Sequence, residues 1–158
     1  MITPCPLPPA ALLQSYARSG DYTDCFATDI PLAITYAQFV EAFYTTWLFK
    51  LERVILKWAL SRPSTDAEAR ALAQGSRHGF AAWDVEERAP DQLLLRDMYG
   101  TTRSWLMTEP VTAGTRLYFG SAVVRQAMKR PHFSALMDFH KAYSRALLGA
   151  AARAASRA

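Results

Sequence analysis

At His78-Gly79 the hydrophobic period of this chain switches from helical to strand spacing, and that switch limits the fold more than any other feature. Before it, apolar residues recur every three or four positions, as on one face of a helix. After it they alternate, as on a strand with one buried face. Phe39, Phe43, Trp47, Leu51, Val54 or Ile55, and Trp58 form one stripe, which predicts a long helix over 31–61. Arg62-Pro63 ends it, because the residue before a proline is pushed out of helical geometry. Asp29 is expected to cap this helix, and Pro31 suits its first turn, where amides have no partner within the helix. Ser64-Thr65-Asp66 opens a second helix, with Thr65 and Glu68 at capping-box spacing and Gly75 placed to close it.

Beyond Gly79, residues 80–88 (FAAWDVEER) and LLLRDMY predict a hairpin around the turn Ala89-Pro90-Asp91-Gln92. TTRSWLMTEPV and TRLYFGSAVV, with Ala113-Gly114 as their turn, extend it to a meander of about four strands, and Gly120 marks a bulge or sharp bend. Lys129-Arg130-Pro131 ends the sheet and opens a last helix with Phe133, Leu136 or Met137, His140, Tyr143 and Leu147 on one face. Upstream, DYTDCFATDI favours a first strand. Residues 1–18 are a proline-rich N-terminal segment, of which 1 to about 10 are expected to be extended and unable to pair regularly in a sheet, followed by a short helical turn at about 10–18. Residues 19–155 then form a single domain in the order strand, two helices, meander, long helix, which is the α+β class.

Composition narrows the partners. At 158 residues and 51% hydrophobic, the chain can bury one real core. Its net charge of +4 is scattered, and no aromatic–basic strand motif accompanies it, so no nucleic acid is expected. Two cysteines are too few for a disulfide framework and match neither a zinc pair nor C-x-x-C; with no basic start or apolar run at the N-terminus, a cytoplasmic setting is expected. Leu32 to Phe49 holds 18 residues with only Glu41 charged, close to a membrane span in length. Glu41, Gln38, three threonines and the continuation of the same periodicity into KLERVILK predict a buried core helix and no integral membrane span.

The order of elements over residues 20–150, together with Thr102-Arg103-Ser104-Trp105-Leu106 and Gly114-Thr115-Arg116-Leu117-Tyr118-Phe119-Gly120-Ser121, resembles the START-like or polyketide-cyclase-like (SRPBCC) helix-grip superfamily, and within it a bacterial family of unknown function. The resemblance implies an antiparallel sheet wrapped on the C-terminal helix, with a cavity between them that in relatives holds apolar molecules. It carries over no catalytic residues, since the superfamily has no common set. The sequence departs from the usual plan in the length of the helix at 31–61 and in five strands where six or seven are usual.

No G-x-S-x-G, G-x-G-x-x-G, P-loop or H-E-x-x-H is present, and His78, His132 and His140 are not at metal spacing, so no metal or cofactor is implied. His140, on the apolar face of the last helix, is read first as a satisfied core or cavity-edge histidine and second as a proton-transfer group. Asp84, Glu86 and Glu87 are read as a solvated face. Trp83, Trp105, Tyr118 and Phe119 suit core packing or, with Tyr143, ligand stacking. Arg103 depends on register. With a three-residue loop, Tyr99 pairs with Arg103 and Asp97 with Trp105, and Arg103 and Asp97 look into the cavity as an anchor for a carboxylate or phosphate. With a two-residue loop, Arg103 aligns with Met98, the inward face becomes Leu93, Leu95 and Leu106, and Arg103 turns outward.

The first functional reading is therefore a domain binding an apolar or amphipathic small molecule, with Trp83, Asp97, Arg103, Trp105, Phe119, His140 and Tyr143 as candidate ligand residues. The alternatives are a cyclase- or dehydratase-like enzyme using Asp97, His140 or a tyrosine in the same cavity, and a non-enzymatic interaction module. Either register leaves apolar side chains on the outer sheet face, to be covered by helices or by a second subunit in a homodimer.

Overall fold

The computed structural model describes residues 1–51, 63–129 and 133–157. Seven strands form one antiparallel sheet: β1 Thr3–Pro4, β2 Tyr22–Ile30, β3 Gly79–Phe80, β4 Trp83–Ala89, β5 Gln92–Asp97, β6 Thr102–Val111 and β7 Gly114–Val123. Their order across the sheet is β1-β2-β7-β6-β5-β4-β3, so the first long strand lies beside the last. Helices α1 Gln14–Arg18, α2 Tyr36–Thr45, α3 Asp66–Ala73, α4 Arg125–Met128 and α5 Phe133–Ala155 complete the described elements, with a further helical stretch at 47–51. The five expected strands are all present. The two additional ones are two-residue strands at the edges, too short to show a period.

The long helix expected over 31–61 is corrected in two places. Asp29 is the penultimate residue of β2 and pairs with Arg116 through two hydrogen bonds of 2.7 and 2.9 Å, so it caps nothing. The cap is Thr35, whose side chain accepts from the Gln38 amide while the Gln38 side chain accepts from the Thr35 amide. The helix then breaks at Thr46, where ψ is 149°. Thr46 Oγ1 donates to the Phe43 carbonyl and accepts from the Phe49 amide, ending one helical segment and capping the next. The expected continuation of the stripe through Val54, Ile55 and Trp58 to Arg62 lies outside the described residues. So do Arg130, Pro131 and His132, and the side chains of Phe133 and Leu136. The capping box of Thr65 and Glu68 and the closure at Gly75, with φ of +79°, are as expected.

Neither anticipated register at β5–β6 is adopted. Arg96 faces Arg103, Leu95 faces Ser104 and Leu94 faces Trp105, around a four-residue loop at 98–101. The parity is that of the two-residue alternative: Leu93, Leu95 and Leu106 turn inward, and Arg103 and Trp105 turn outward. Gly120 is neither bulged nor bent, holding ladder positions opposite both Cys25 and Trp105. A Cβ there would come within 2.9 Å of the Trp105 ring, so glycine makes room for the indole. The irregularity falls in β4, between Val85 and Glu87.

Two cores result. The inner face of the sheet, through Phe26, Ile30, Leu93, Leu95, Leu106, Leu117 and Phe119, packs on α2, α3 and α5. The outer face, through Cys25, Ala27, Leu94, Trp105, Met107 and Tyr118, packs on the N-terminal segment, with Ala11 and Leu13 buried against it. Residues 1–13 therefore run as a strap: β1 pairs with β2, and the buried Gln92 carboxamide accepts from the Leu12 amide and Trp105 Nε1 while donating to the Ala10 carbonyl. Proline at Pro4 is tolerated because β1 is an edge strand. This strap covers the apolar outer face for which helices or a second subunit had been expected.

Replacing Gln92 by Ala strips three polar groups of their partner: the buried Trp105 Nε1 and the part-buried Leu12 amide and Ala10 carbonyl. We expect Gln92→Ala to lower the free energy of unfolding by about 2–4 kcal/mol in urea titration, and to speed proteolysis within residues 1–13; unchanged cleavage there would show that the carboxamide does not hold the strap.

Candidate functional site

The inner face is not filled along its whole length. At the β6–β7 end, small polar residues stand where large apolar ones would close the core: Ser104 in phase with Leu106, Ser121 in phase with Leu117 and Phe119, and Ser144 on the inward face of α5. They leave a cavity of about 180 Å³ between the sheet and α5. Phe43, Tyr44 and Phe49 form one wall, Trp83 and Phe119 lie along the sheet, and His140, Tyr143 and Leu147 project from α5. Two wider depressions, one along the strap and one beside Arg77 and Trp83, are more open to solvent. The strap depression also carries polar side chains, but as closed pairs, Asp29 with Arg116 and Glu109 with Tyr118, and neither depression presents a buried histidine.

That polar group is a hydrogen-bonded chain. Asp24 and Ser121 are direct cross-strand partners in β2–β7. The Asp24 carboxylate accepts from the Ser121 amide at 2.9 Å and from its hydroxyl at 2.6 Å. Ser121 Oγ in turn lies 2.7 Å from His140 Nε2, and Asp24 Oδ2 lies 3.8 Å from the same nitrogen. A serine hydroxyl has one hydrogen, and here it is given to Asp24, so the short contact to His140 requires Nε2 to carry the proton and donate. Nδ1 is then the basic nitrogen of the neutral ring, and it has no hydrogen-bond partner among the described residues. The Tyr22 hydroxyl also donates to Asp24, at 3.2 Å.

Burial sets the balance at His140. Removal from water holds its pKa below the ordinary histidine value, with the Asp24 charge acting in the opposite direction. The ring is neutral at physiological pH. A proton accepted at Nδ1 would make an imidazolium whose charge is met, through Ser121, by Asp24. The arrangement differs from a serine-nucleophile triad: Ser121 donates to the carboxylate and is buried within a strand, 2% exposed.

The seven candidate ligand residues separate into two groups. Trp83, Phe119, His140 and Tyr143 meet around the cavity. Trp105 is wholly buried in the outer core, its Nε1 bound to Gln92. Asp97 closes the 98–101 loop, accepting from the Thr101 and Thr102 amides and the Thr101 hydroxyl. Arg103 contributes to the cavity wall at its β6 position, but its guanidinium turns to the outer face. There Nε contacts Glu86 at 2.8 Å and the Tyr16 hydroxyl at 2.7 Å, Nη1 donates to the Gly100 carbonyl, and the head lies over the Tyr16 ring. Tyr16 also donates to Glu86. Glu86, read from the sequence as solvated, is thus part of a half-buried ion pair.

Sequence reasoning missed Asp24, Ser104, Ser121 and Ser144. The signal was there: an aspartate in phase with Phe26 and Ile30, and serines in phase with Leu106 and Phe119, are polar residues at apolar-parity positions. Among the described residues no group of three His, Cys, Asp or Glu is placed to hold a metal ion, and no helix is long and apolar enough to cross a membrane.

No protein-family model matches the chain, and no curated protein matches it. Among solved structures, the crystal structure of a protein from Rhodobacter sphaeroides, a target of the Northeast Structural Genomics Consortium, is similar over 95% of this chain and 99% of that one, with 16% sequence identity and a TM-score of 0.38.

His140 gives the site a pH signature. Its pKa is lower folded than unfolded, so as pH falls through the ordinary histidine value of 6.5 the unfolded chain binds more protons; the stability His140 contributes is full above that value and is lost as pH falls through it toward the folded pKa. Thermal melts of the wild type and His140→Gln from about pH 8 to pH 5 should show a steeper fall for the wild type below pH 6.5; parallel curves would mean that His140 is not held neutral by the fold.

Proposed function

We propose that this protein is a helix-grip domain of the START-like kind that binds a small amphipathic molecule in the cavity between its sheet and α5. The observation that carries the reading is the pairing of an apolar, partly enclosed space with one convergent polar chain, Asp24–Ser121–His140, at its wall. Size limits the ligand. An engineered dry cavity of roughly 150 Å³ accepts benzene, so about 180 Å³ suits a monocyclic aromatic or a short aliphatic chain and excludes a sterol or a full polyketide. Polarity limits it further. The Nε2 proton of His140 is engaged with Ser121, which leaves Nδ1 as an acceptor, so the ligand's polar end is a hydrogen-bond donor such as a phenol or a protonated carboxyl.

A second reading, favoured by the same chain, is a proton-transfer enzyme in which His140 is the general base and Asp24, through Ser121, steadies the imidazolium. Buried imidazole with an oriented carboxylate is the equipment of such a step. The two readings share a site and differ in whether the proton is only shared with His140 or is transferred to it and returned as a bond of the ligand is made or broken.

Native mass spectrometry of protein from a bacterial host, followed by titration with simple phenols and short-chain acids, tests both. Ser104→Leu, which fills the cavity from β6, should abolish the adduct and weaken phenol binding more than tenfold, at a stability cost of about 1–3 kcal/mol for overpacking. Binding that survives this substitution would place the ligand elsewhere. For any ligand that is turned over, His140→Ala should lower kcat, read at saturating ligand, by about 10²–10⁴-fold; an unchanged kcat would remove the enzyme reading.

A further inference from the structure

On the outer face, far from the cavity in both side and chemistry, the strap places Cys5 opposite Cys25. The β1–β2 register runs Thr3 to Ala27 and Pro4 to Phe26, and the Cys5 amide continues it by donating to the Cys25 carbonyl at 3.0 Å. The two sulfurs are 3.3 Å apart, and both thiols are free. Directly opposed residues of an antiparallel pair have Cα atoms about 4.5–5.5 Å apart, inside the range that a disulfide bridges. Small side-chain rotations therefore suffice to join them.

The two thiols are unequal. Cys25 is buried, and burial with the neighbouring Cys5 pushes its thiol far above the ordinary range, so it is a poor first nucleophile. Cys5 is only partly buried and borders a surface recess with Pro6, Gln14 and Thr23; Cys25 lies at the base of the same recess but is 5% exposed, so a small reagent meets Cys5 first.

We infer that Cys5 and Cys25 form a reversible disulfide that staples the strap to the sheet, made by exchange with a low-molecular-weight disulfide such as oxidised glutathione. The Cys5 thiolate attacks the reagent, forming a mixed disulfide and expelling one thiolate. Cys25 then attacks the Cys5 sulfur, the protein S–S bond forms, and a second thiolate leaves; the two thiol protons pass to the two leaving groups. Two cysteines are oxidised and one disulfide is reduced to two thiols. In the reduced protein the strap is held by two ladder pairs, the Cys5 amide and Gln92. In the oxidised protein a covalent bond closes the chain between positions 5 and 25.

The experiment treats the full reduced chain with oxidised glutathione, in buffer and in urea, and reads intact mass, free thiols and thermal melting. The wild type in buffer should lose two hydrogens without accumulating a glutathione adduct, and its Tm should rise by at least about 4 °C. Cys25→Ser should stop at the mixed disulfide on Cys5, and Cys5→Ser should react more than tenfold more slowly than either. The glutathione equilibrium should favour the protein disulfide more than tenfold more strongly in buffer than in urea, since folding and bond formation are linked. A wild type that retains two free thiols or stops at the mixed disulfide, or an equilibrium equal in buffer and urea, would overturn the inference.

Discussion

The pairing of β2 with β7 is the contact on which the rest of the molecule depends. It joins residues about ninety positions apart, and it alone brings the N-terminal third of the chain into the sheet formed by the meander. Its register sets Phe26 beside Phe119 in the inner core and Asp24 beside Ser121 at the cavity wall. A slip by one residue would exchange the faces of β2, turning Asp24 out and Cys25 in, and would lose both the polar chain and the thiol pair. The turn before β7 protects that register. Gly114 has φ of +148°, and a Cβ there would fall 2.0 Å from the Ile30 carbonyl oxygen, so the end of β2 passes directly against a residue without a side chain.

The two faces of the sheet solve opposite problems. On the outer face the large apolar side chains pack against the strap, and the polar atoms brought along are tied by Gln92 and by the cluster of Arg103, Glu86 and Tyr16. On the inner face apolar packing gives way near α5 to Ser104, Ser121 and Ser144. Replacing a leucine-sized group by a hydroxymethyl leaves space, and the hydroxyl makes that space unsuited to collapse onto hydrocarbon. A core built only for stability would fill these positions. Their retention beside a buried, neutral imidazole is why the cavity, and neither of the larger open depressions, is the place to look for function.

The sequence made the element types legible wherever a short-range pattern decides them. The Thr65–Glu68 capping box, the turn at 89–92 and the alternation through β4 to β7 are all local, and each was found. The helix break at Thr46 was hidden because a stripe of Phe43, Trp47 and Leu51 has the same spacing on one helix as on two segments that meet at an internal cap. Trp47 and Leu51 are in fact exposed, at 70% and 53%. The β5–β6 register escaped for a related reason: alternation fixes only the parity of a strand, and the length of the 98–101 loop, closed by the Asp97 carboxylate, is set by hydrogen bonds that periodicity does not encode. The candidate site was half legible. Aromatic residues and His140 stood out by type, whereas Asp24 and Ser121 acquire meaning only once a pairing across ninety residues makes them neighbours.

Asp24 and Cys25 are consecutive in β2, and their side chains point to opposite faces, one to His140 and the other to Cys5. Their side chains share no hydrogen bond, and the Asp24 charge is the least of the influences that raise the Cys25 thiol, after its burial and the neighbouring Cys5. β2 is hydrogen-bonded to β7 along nine residues and to β1 on its other edge, so its backbone is fixed by ladder bonds that neither side chain makes. Protonation of His140 acts on Asp24 and Ser121 through side-chain hydrogen bonds on the inner face. Joining Cys5 to Cys25 acts on the strap, whose other anchors, the buried Ala11 and Leu13 and the Gln92 carboxamide three strands away in β5, stay in place. A closely bonded central strand thus lets one short segment of sequence serve a titrating site on one face and a thiol pair on the other, each answering to its own chemistry.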